Sequence, residues 1–140
     1  MALKFEWKDE YALDIGSIDA QHQNFFRVAN RISDLAEELE IDRQELVAVI
    51  GELLNYSLYH FGVEEELFYS LNYPEKEAHI EAHNAFRIKS GQFMERMTDK
   101  DINIKELAME AAGFAINWLT GHILVVDKKY APFFKEKGIE

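Results

Sequence analysis

Cysteine is absent from this chain of 140 residues, and proline occurs only twice. Without thiols the protein has no disulfide framework, no zinc finger and no iron–sulfur cluster, so histidine and carboxylate side chains remain as metal ligands. Long apolar runs are also missing, because polar residues interrupt even residues 107–126, and none could span a bilayer. The first residues lack the apolar run of a signal peptide, which favours a soluble cytoplasmic protein.

Positive charge is scarce as well. The chain has 15 basic and 26 acidic residues and a net charge of -11. This charge repels phosphate backbones and anionic membranes, so we expect neither nucleic acid nor a membrane as a partner. Hydrophobic residues make up 48% of the sequence, which is typical of a globular protein. The length fits one domain covering residues 1–140.

Apolar residues recur at alternating steps of three and four, which indicates helices with one buried face. We expect an arm over residues 1–16 and then helices at about 19–39, from 42 through 67, 74–97 and 104–125. Short connections and the lack of any strand pattern predict an all-α fold. Its architecture would be an antiparallel up-down-up-down four-helix bundle with an N-terminal arm and a short C-terminal tail.

Helix ends are predicted from capping residues. The first helix is expected to begin at Ser17 or Asp19, and the second at Asp42. Pro74 suits the first turn of the third helix, and Asp101 or Asn103 is expected to cap the fourth. The fourth helix is expected to end near residues 128–129, and residues 131–134 then form a short tail that packs back.

All five histidines lie on the predicted inward faces of the helices, and near corresponding ends of an antiparallel bundle. A lone histidine on an apolar face is more often a satisfied core residue than a ligand, but five at one end favour a metal centre. The carboxylate of Glu64 is in phase with these histidines, because it follows one of them by four residues. Its neighbours Glu65 and Glu66 are expected to face solvent. The histidines are His22, His60, His79, His83 and His122.

Asp127 is a further candidate, five residues after His122. In a regular α-helix it would point about 140° away from the His122 direction. By spacing alone, a solvated aspartate near the helix end is the simpler interpretation. If Asp127 is a ligand, the helix must loosen between the two residues, by a π-bulge or an unwound turn.

Five imidazoles and two carboxylates exceed what one metal ion needs, and they suit two ions with both carboxylates bridging. With three histidines on one ion and two on the other, one coordination position stays open. Imidazole together with carboxylate suits iron, among other metals. An open redox site of this kind can bind a small molecule such as dioxygen.

Four motifs together resemble the hemerythrin family in its bacterial single-domain form. They are residues 18–22, 60–65, 79–83 and 118–127, and the resemblance extends from Trp7 to Tyr130. It implies two non-haem iron ions (Fe²⁺/Fe³⁺) with a bridging oxo or hydroxo group. The bacterial members of the family imply a monomer.

The resemblance also implies how the ligands divide. One iron would take His79, His83 and His122, and the other would take His22 and His60. Glu64 and Asp127 would bridge, which replaces the solvated interpretation of Asp127. Dioxygen would bind at the iron with two histidines and be released intact.

The function expected from this reasoning is reversible dioxygen binding for storage, delivery or scavenging, and not enzymatic turnover. Five neutral imidazoles and only two anions stabilise high-valent iron less than a carboxylate-rich site does. One alternative is an enzyme that reduces nitric oxide or peroxide at the same site. Another is an oxygen or iron sensor module, which is weaker because the chain shows no signalling domain.

A dioxygen carrier should line its open position with bulky apolar groups, since water and protons promote loss of the oxygen as an anion. Five large side chains lie within one turn of a predicted ligand. The alternative is that all five are ordinary bundle core. They are Phe25, Phe61, Trp118, Leu119 and Ile123.

Overall fold

The computed structural model describes residues 4–140 and confirms the predicted all-α bundle. A 3₁₀ turn at Asp9–Tyr11 lies within the arm, whose first three residues are outside the described part of the chain. The helices are α1 (Gly16–Ala36), α2 (Arg43–Ser70), α3 (Lys76–Arg96), α4 (Ile104–Gly121), a π-helical segment (His122–Asp127) and α5 (Lys128–Glu136). No strand occurs within residues 4–140. Helices α1 and α2 pack side by side, α1 also packs against α4, and α3 packs against α2.

Two of the predicted helix caps are confirmed. The carboxylate of Asp42 accepts the backbone N–H of Gln44 at 2.9 Å and that of Glu45 at 3.5 Å. Asn103 accepts the N–H of Glu106 at 3.0 Å. Each side chain satisfies N–H groups that have no partner inside the helix.

The first helix differs from the prediction at both ends. It begins at Gly16 and has no side-chain cap. Asp19 instead accepts the backbone N–H of Leu13 at 2.8 Å, and this bond ties the arm to α1. The helix ends at Ala36, and Leu39, the last residue of the predicted helix, is fully exposed in the loop.

The turn between α2 and α3 explains why α3 begins at Lys76 and not at Pro74. Asn72 adopts a left-handed conformation with φ 55° after the last turn of α2. The N–H of Tyr73 bonds to the carbonyl of Phe68 at 2.8 Å, and the N–H of Asn72 to that of Tyr69 at 3.3 Å. This pairing is the Schellman motif, which closes α2 and reverses the chain before Pro74.

The C-terminal third differs most from the prediction. The expected short tail is helical, and α4, the π segment and α5 follow one another without a break over Ile104–Glu136. The predicted irregularity between His122 and Asp127 is confirmed as the π segment. Because the π turns change the helical phase, Val125 is 60% exposed although the regular pattern placed it on the buried face.

Two helices, Arg43–Ser70 and Ile104–Glu136, are long and apolar enough in composition to cross a membrane, whereas the interrupted apolar runs of the sequence predicted none. Each of them contributes a fully buried carboxylate, Glu64 or Asp127, to the interior of the bundle. Core helices of helical bundles meet the same criterion of length and composition.

Candidate metal centre

The five histidines, Glu64 and Asp127 converge inside the bundle, as the sequence predicted. All seven side chains are buried, and the largest residual exposure is 6%, at His122. One ligand candidate comes from α1, and two each come from α2, α3 and the π segment that follows α4. The short Schellman turn and the antiparallel packing bring these helix ends to the same level.

Asp127 joins three helices through its two carboxylate oxygens. Its Oδ1 atom lies 2.9 Å from Nε2 of His79 and 3.0 Å from Nε2 of His122. Its Oδ2 atom lies 3.1 Å from Nε2 of His22. These contacts depend on the π segment, which turns the carboxylate inward from a position that a regular helix would expose.

Glu64 likewise lies between imidazoles of different helices, on the other side of the centre. Its Oε1 atom lies 3.2 Å from Nε2 of His60 and 3.2 Å from Nε2 of His83. The hydroxyl of Tyr130 donates a short hydrogen bond to Oε2 of Glu64. Each carboxylate therefore lies between imidazoles from different helices, which is the placement that a bridging ligand needs.

Electrostatics keep both carboxylates ionised in spite of their burial. Burial raises the pKa of Glu64, but the contacts with His60 and His83 outweigh it and hold the pKa well below its usual value. Burial likewise raises the pKa of Asp127, and contacts with three histidines, His122 foremost, hold it well below its usual value. A buried anion of this kind requires compensating positive charge.

Their surroundings shift the pKa values of His83 and His122 in opposite directions. Burial lowers the pKa of His83, so its imidazole is neutral, which is the form that binds metals. Burial also lowers the pKa of His122, but the nearby Asp127 charge more than reverses this effect, and the net pKa is raised. Burial raises the pKa of Tyr130 well above its usual value, so the phenol stays protonated.

Several polar atoms of the centre are buried and form no hydrogen bond of acceptable geometry, although they lie 2.9–3.2 Å from other ligand candidates. They include Nε2 of His22 and His83, Oε1 of Glu64 and both oxygens of Asp127. Unpaired polar atoms cost several kcal/mol in a core, on the order of 2–7 each, so natural proteins rarely keep a cluster of them without an ion. This donor set fits a metal centre.

The inward atoms form two overlapping groups that could each hold an ion. The first contains Glu64, His79, His83, His122 and Asp127, and the second contains His22, His60 and Glu64; within each group the ligand atoms lie within 4.8 Å of one another. The division into three and two histidines matches the arrangement implied by the sequence resemblance. Imidazole and carboxylate ligands in this number suggest a non-haem di-iron site.

Two outer residues orient the histidines, and one of them corrects a prediction. Nδ1 of His60 lies 2.7 Å from Oε1 of Gln21, and Nδ1 of His83 lies 2.7 Å from Oε2 of Glu65. Glu65 was expected to face solvent, but its side chain is only 19% exposed. It points along the α2–α3 interface because it bonds both His83 and Arg87.

Aromatic rings surround the centre at three of the five predicted pocket positions. Phe61 stacks on His83 with ring centres 4.0 Å apart, and Trp118 stacks on His122 at 4.3 Å. Phe25 meets His60 edge-on at 5.9 Å. The other two predicted pocket residues, Leu119 and Ile123, are buried one turn before and directly after His122.

Tyr130, Gln21 and Glu65 are the site residues that sequence reasoning missed. Tyr130 follows Asp127 by three residues, a helical spacing that would have found it if the helix had not been expected to end near residues 128–129. Gln21 precedes His22 directly and serves a different histidine, on α2, so no local spacing indicates its partner.

Comparisons with known proteins agree with this geometry. The family model described as "Hemerythrin HHE cation binding domain" matches residues 13–134, which include all seven ligand candidates. A bacteriohemerythrin from Clostridium acetobutylicum is 32% identical over 130 residues, covering 90% of this chain and 98% of that protein. A hemerythrin-like protein from Naegleria gruberi is 26% identical over 126 residues, covering 90% of each chain. The crystal structure of wild-type hemerythrin has a TM-score of 0.80 at 25% identity, covering 91% of this chain and 95% of that chain.

Proposed function

The chain belongs to the hemerythrin family, and from that premise we propose that it binds dioxygen reversibly at a non-haem di-iron centre. One observation carries the proposal. Five inward imidazole nitrogens surround two buried carboxylates from four helical segments, and several of these atoms form no hydrogen bond of acceptable geometry. Such a set is complete only with bound cations.

The residues divide into two holding sets. His79, His83 and His122 would hold one iron ion, and His22 and His60 the other. The carboxylates of Glu64 and Asp127 would bridge the two. When bound, the ions supply the electrons and the open coordination position that dioxygen needs. The protein contributes few negative charges to this centre, which favours release of the oxygen over its activation.

The side chains around the centre exclude water and hold protons in place. The rings of Phe61 and Trp118 cover the faces of His83 and His122, and Phe25 covers an edge of His60. Leu119 and Ile123 complete the proposed apolar lining. Tyr130 keeps its proton on the hydroxyl and directs it at Glu64, so this carboxylate is held at a fixed orientation.

We propose the remaining properties on more general grounds. The protein would act as a single domain over residues 1–140, as a monomer in the cytoplasm, and dioxygen would be its partner. A net charge of -11 argues against nucleic acid and anionic membranes. It would be a carrier and not an enzyme, so it would show no sustained turnover of nitric oxide or peroxide.

The test is an optical spectrum of the reduced, iron-loaded protein through repeated cycles of oxygen addition and removal, with iron measured in the same sample. We expect two irons per chain and an oxygen-dependent band that appears and disappears over several cycles. One zinc per chain, or no retained iron, would refute the proposed centre. Steady consumption of oxygen, nitric oxide or peroxide in the presence of a reductant would show an enzyme.

A further inference from the structure

The Nδ1 atoms of His60 and His83 make hydrogen bonds of the same length, but the two acceptor groups differ in charge. The acceptor for His60 is the neutral amide of Gln21, whereas the acceptor for His83 is the carboxylate of Glu65, each at 2.7 Å. Both bonds place the imidazole proton on Nδ1 and leave the Nε2 lone pair facing the centre. The histidines belong to different holding sets, so the charge difference falls between the two halves of the centre.

The structure holds Glu65 in this position from its outer side. Arg87 donates to the same Oε2 atom at 2.9 Å, and the two side chains are only 19% and 23% exposed. The guanidinium of Arg87 also lies 5.3 Å from the centre of the Phe61 ring, which stacks on His83. Arg87 therefore holds the carboxylate of Glu65 against the imidazole of His83, and burial limits the screening of this pair by solvent.

Gln21 occupies the corresponding place behind His60 without a charge. Its backbone carbonyl accepts the hydroxyl of Tyr56 at 3.2 Å, which anchors this turn of α1 against α2. A hydrogen bond to a charged acceptor is roughly twice as strong as one between neutral groups. Glu65 consequently draws the Nδ1 proton of His83 more strongly than Gln21 draws that of His60.

We propose that Glu65 and Gln21 are positioning residues that make the two halves of the centre electronically unequal, with His83 as the stronger donor. A partner that draws the Nδ1 proton increases the basicity of the ligating nitrogen. Glu65 therefore stabilises the higher oxidation state in the half held by His79, His83 and His122. The iron held by His22 and His60 would therefore be oxidised at a higher potential than the iron held by His79, His83 and His122. This inference rests on the proposed di-iron function.

A mediated redox titration of the iron-loaded protein tests the inference, with the mediator as electron acceptor and iron measured in each sample. Wild-type protein should oxidise in two separate one-electron steps. Glu65→Gln should raise the lower potential, and Gln21→Glu should lower the higher one. Each substitution should reduce the separation between the two potentials by about 59 mV, which corresponds to a roughly tenfold fall in the comproportionation constant.

Glu66→Gln is the matched control. It removes the same charge one residue further along, but the side chain of Glu66 is exposed and makes no hydrogen bond to a ligand candidate. In Glu66→Gln the separation between the two one-electron potentials should equal that of the wild type. The inference is overturned if Glu65→Gln and Gln21→Glu leave the separation unchanged, or if Glu65→Gln shifts it no more than the control does.

A second measurement decides the inference even if the protein retains no iron. In NMR spectra of the ¹⁵N-labelled metal-free protein, the Nδ1 proton of His83 should resonate further downfield than that of His60. Glu65→Gln should move it to near the His60 position, and Glu66→Gln should not. Fewer than two irons per chain would refute the proposed function, whereas equal His60 and His83 proton shifts would refute the unequal donors.

Discussion

Tyr130 lies fully buried beside the centre and donates its hydroxyl to Glu64. Its removal would leave a buried carboxylate oxygen with one donor fewer, which costs about 1–3 kcal/mol. We therefore expect Tyr130→Phe to keep both irons and to lower the free energy of unfolding in urea by that amount. Tyr73→Phe is the control, because the Tyr73 ring is buried but its hydroxyl makes only a 3.4 Å contact with Glu75. Equal losses in the two variants would refute a special role for the Tyr130 hydroxyl.

Leu119 tests whether the apolar side chains protect bound oxygen or only fill the core. Its truncation to alanine should cost about 2–5 kcal/mol through the cavity that it leaves. If Leu119 also keeps solvent from the open position, Leu119→Ala retains two irons but autoxidises faster than the parent protein.

Ile116→Ala is the matched control for this experiment. Ile116 is also buried on α4, one turn earlier, but it borders a surface cleft against the N-terminal arm. It should lose similar stability with an unchanged autoxidation rate. A parental autoxidation rate in Leu119→Ala would show that Leu119 contributes packing alone.

Residues of the centre differ in how far the sequence could predict them. The inward histidines and Glu64 follow helical periodicity, which is a local signal, and their convergence follows from the alternation of helix directions. Glu65 is one position out of phase with Glu64, so periodicity placed it in solvent. Its partners Arg87 and His83 lie on the next helix, and only the packing of α2 on α3 shows that they meet.

At the scale of elements, the π segment is the feature that a deletion can test. Asp127 follows His122 by five residues, and deletion of one residue between them leaves a spacing of four, which a regular α-helix places on one face. We expect deletion of the exposed Val125 to keep two irons per chain and to preserve or raise the free energy of unfolding. Metal analysis and urea denaturation measure both.

Deletion of Thr120 is the control for this experiment, because it precedes His122 on the regular helix α4. The loss of one residue there rotates everything that follows by about 100° relative to the rest of α4. This variant should lose iron. If the Val125 deletion loses iron to the same extent, the π segment has a role beyond accommodating one extra residue.

The elements themselves were predicted where a local signal is strong. The caps at Asp42 and Asn103 follow from side-chain chemistry next to the helix start. The start of α3 was misplaced because Pro74 is compatible with either a first helical turn or the preceding reversal. Helix α5 was not predicted because two of its features are typical of a helix end. They are the basic pair at its start, Lys128 and Lys129, and Pro132 near its middle.

At the scale of the whole molecule, metal loading should raise stability. The metal-free bundle must bury two carboxylates and five imidazoles with incomplete hydrogen bonding. Binding to the folded state alone adds about 4 kcal/mol at a free-metal concentration 1,000 times the dissociation constant. We expect chelation to lower the melting temperature of the wild type. His83→Ala should bind less iron, and chelation should change its melting temperature much less. An equal response to chelator in both proteins would contradict this link.

The placement of Asp127 has a consequence for how the chain can come apart. Through His22 and His79 this carboxylate reaches α1 and α3, and through His122 it contacts the start of its own π segment. If iron binds as proposed, the contact from α1 to the π segment would become a cross-link across more than a hundred residues of a chain that has no cysteine. A disulfide closing a loop of about 100 residues contributes about 4.7 kcal/mol in the chain-entropy description. In the iron-loaded protein, backbone amides near the centre should therefore exchange with solvent only when the entire bundle opens.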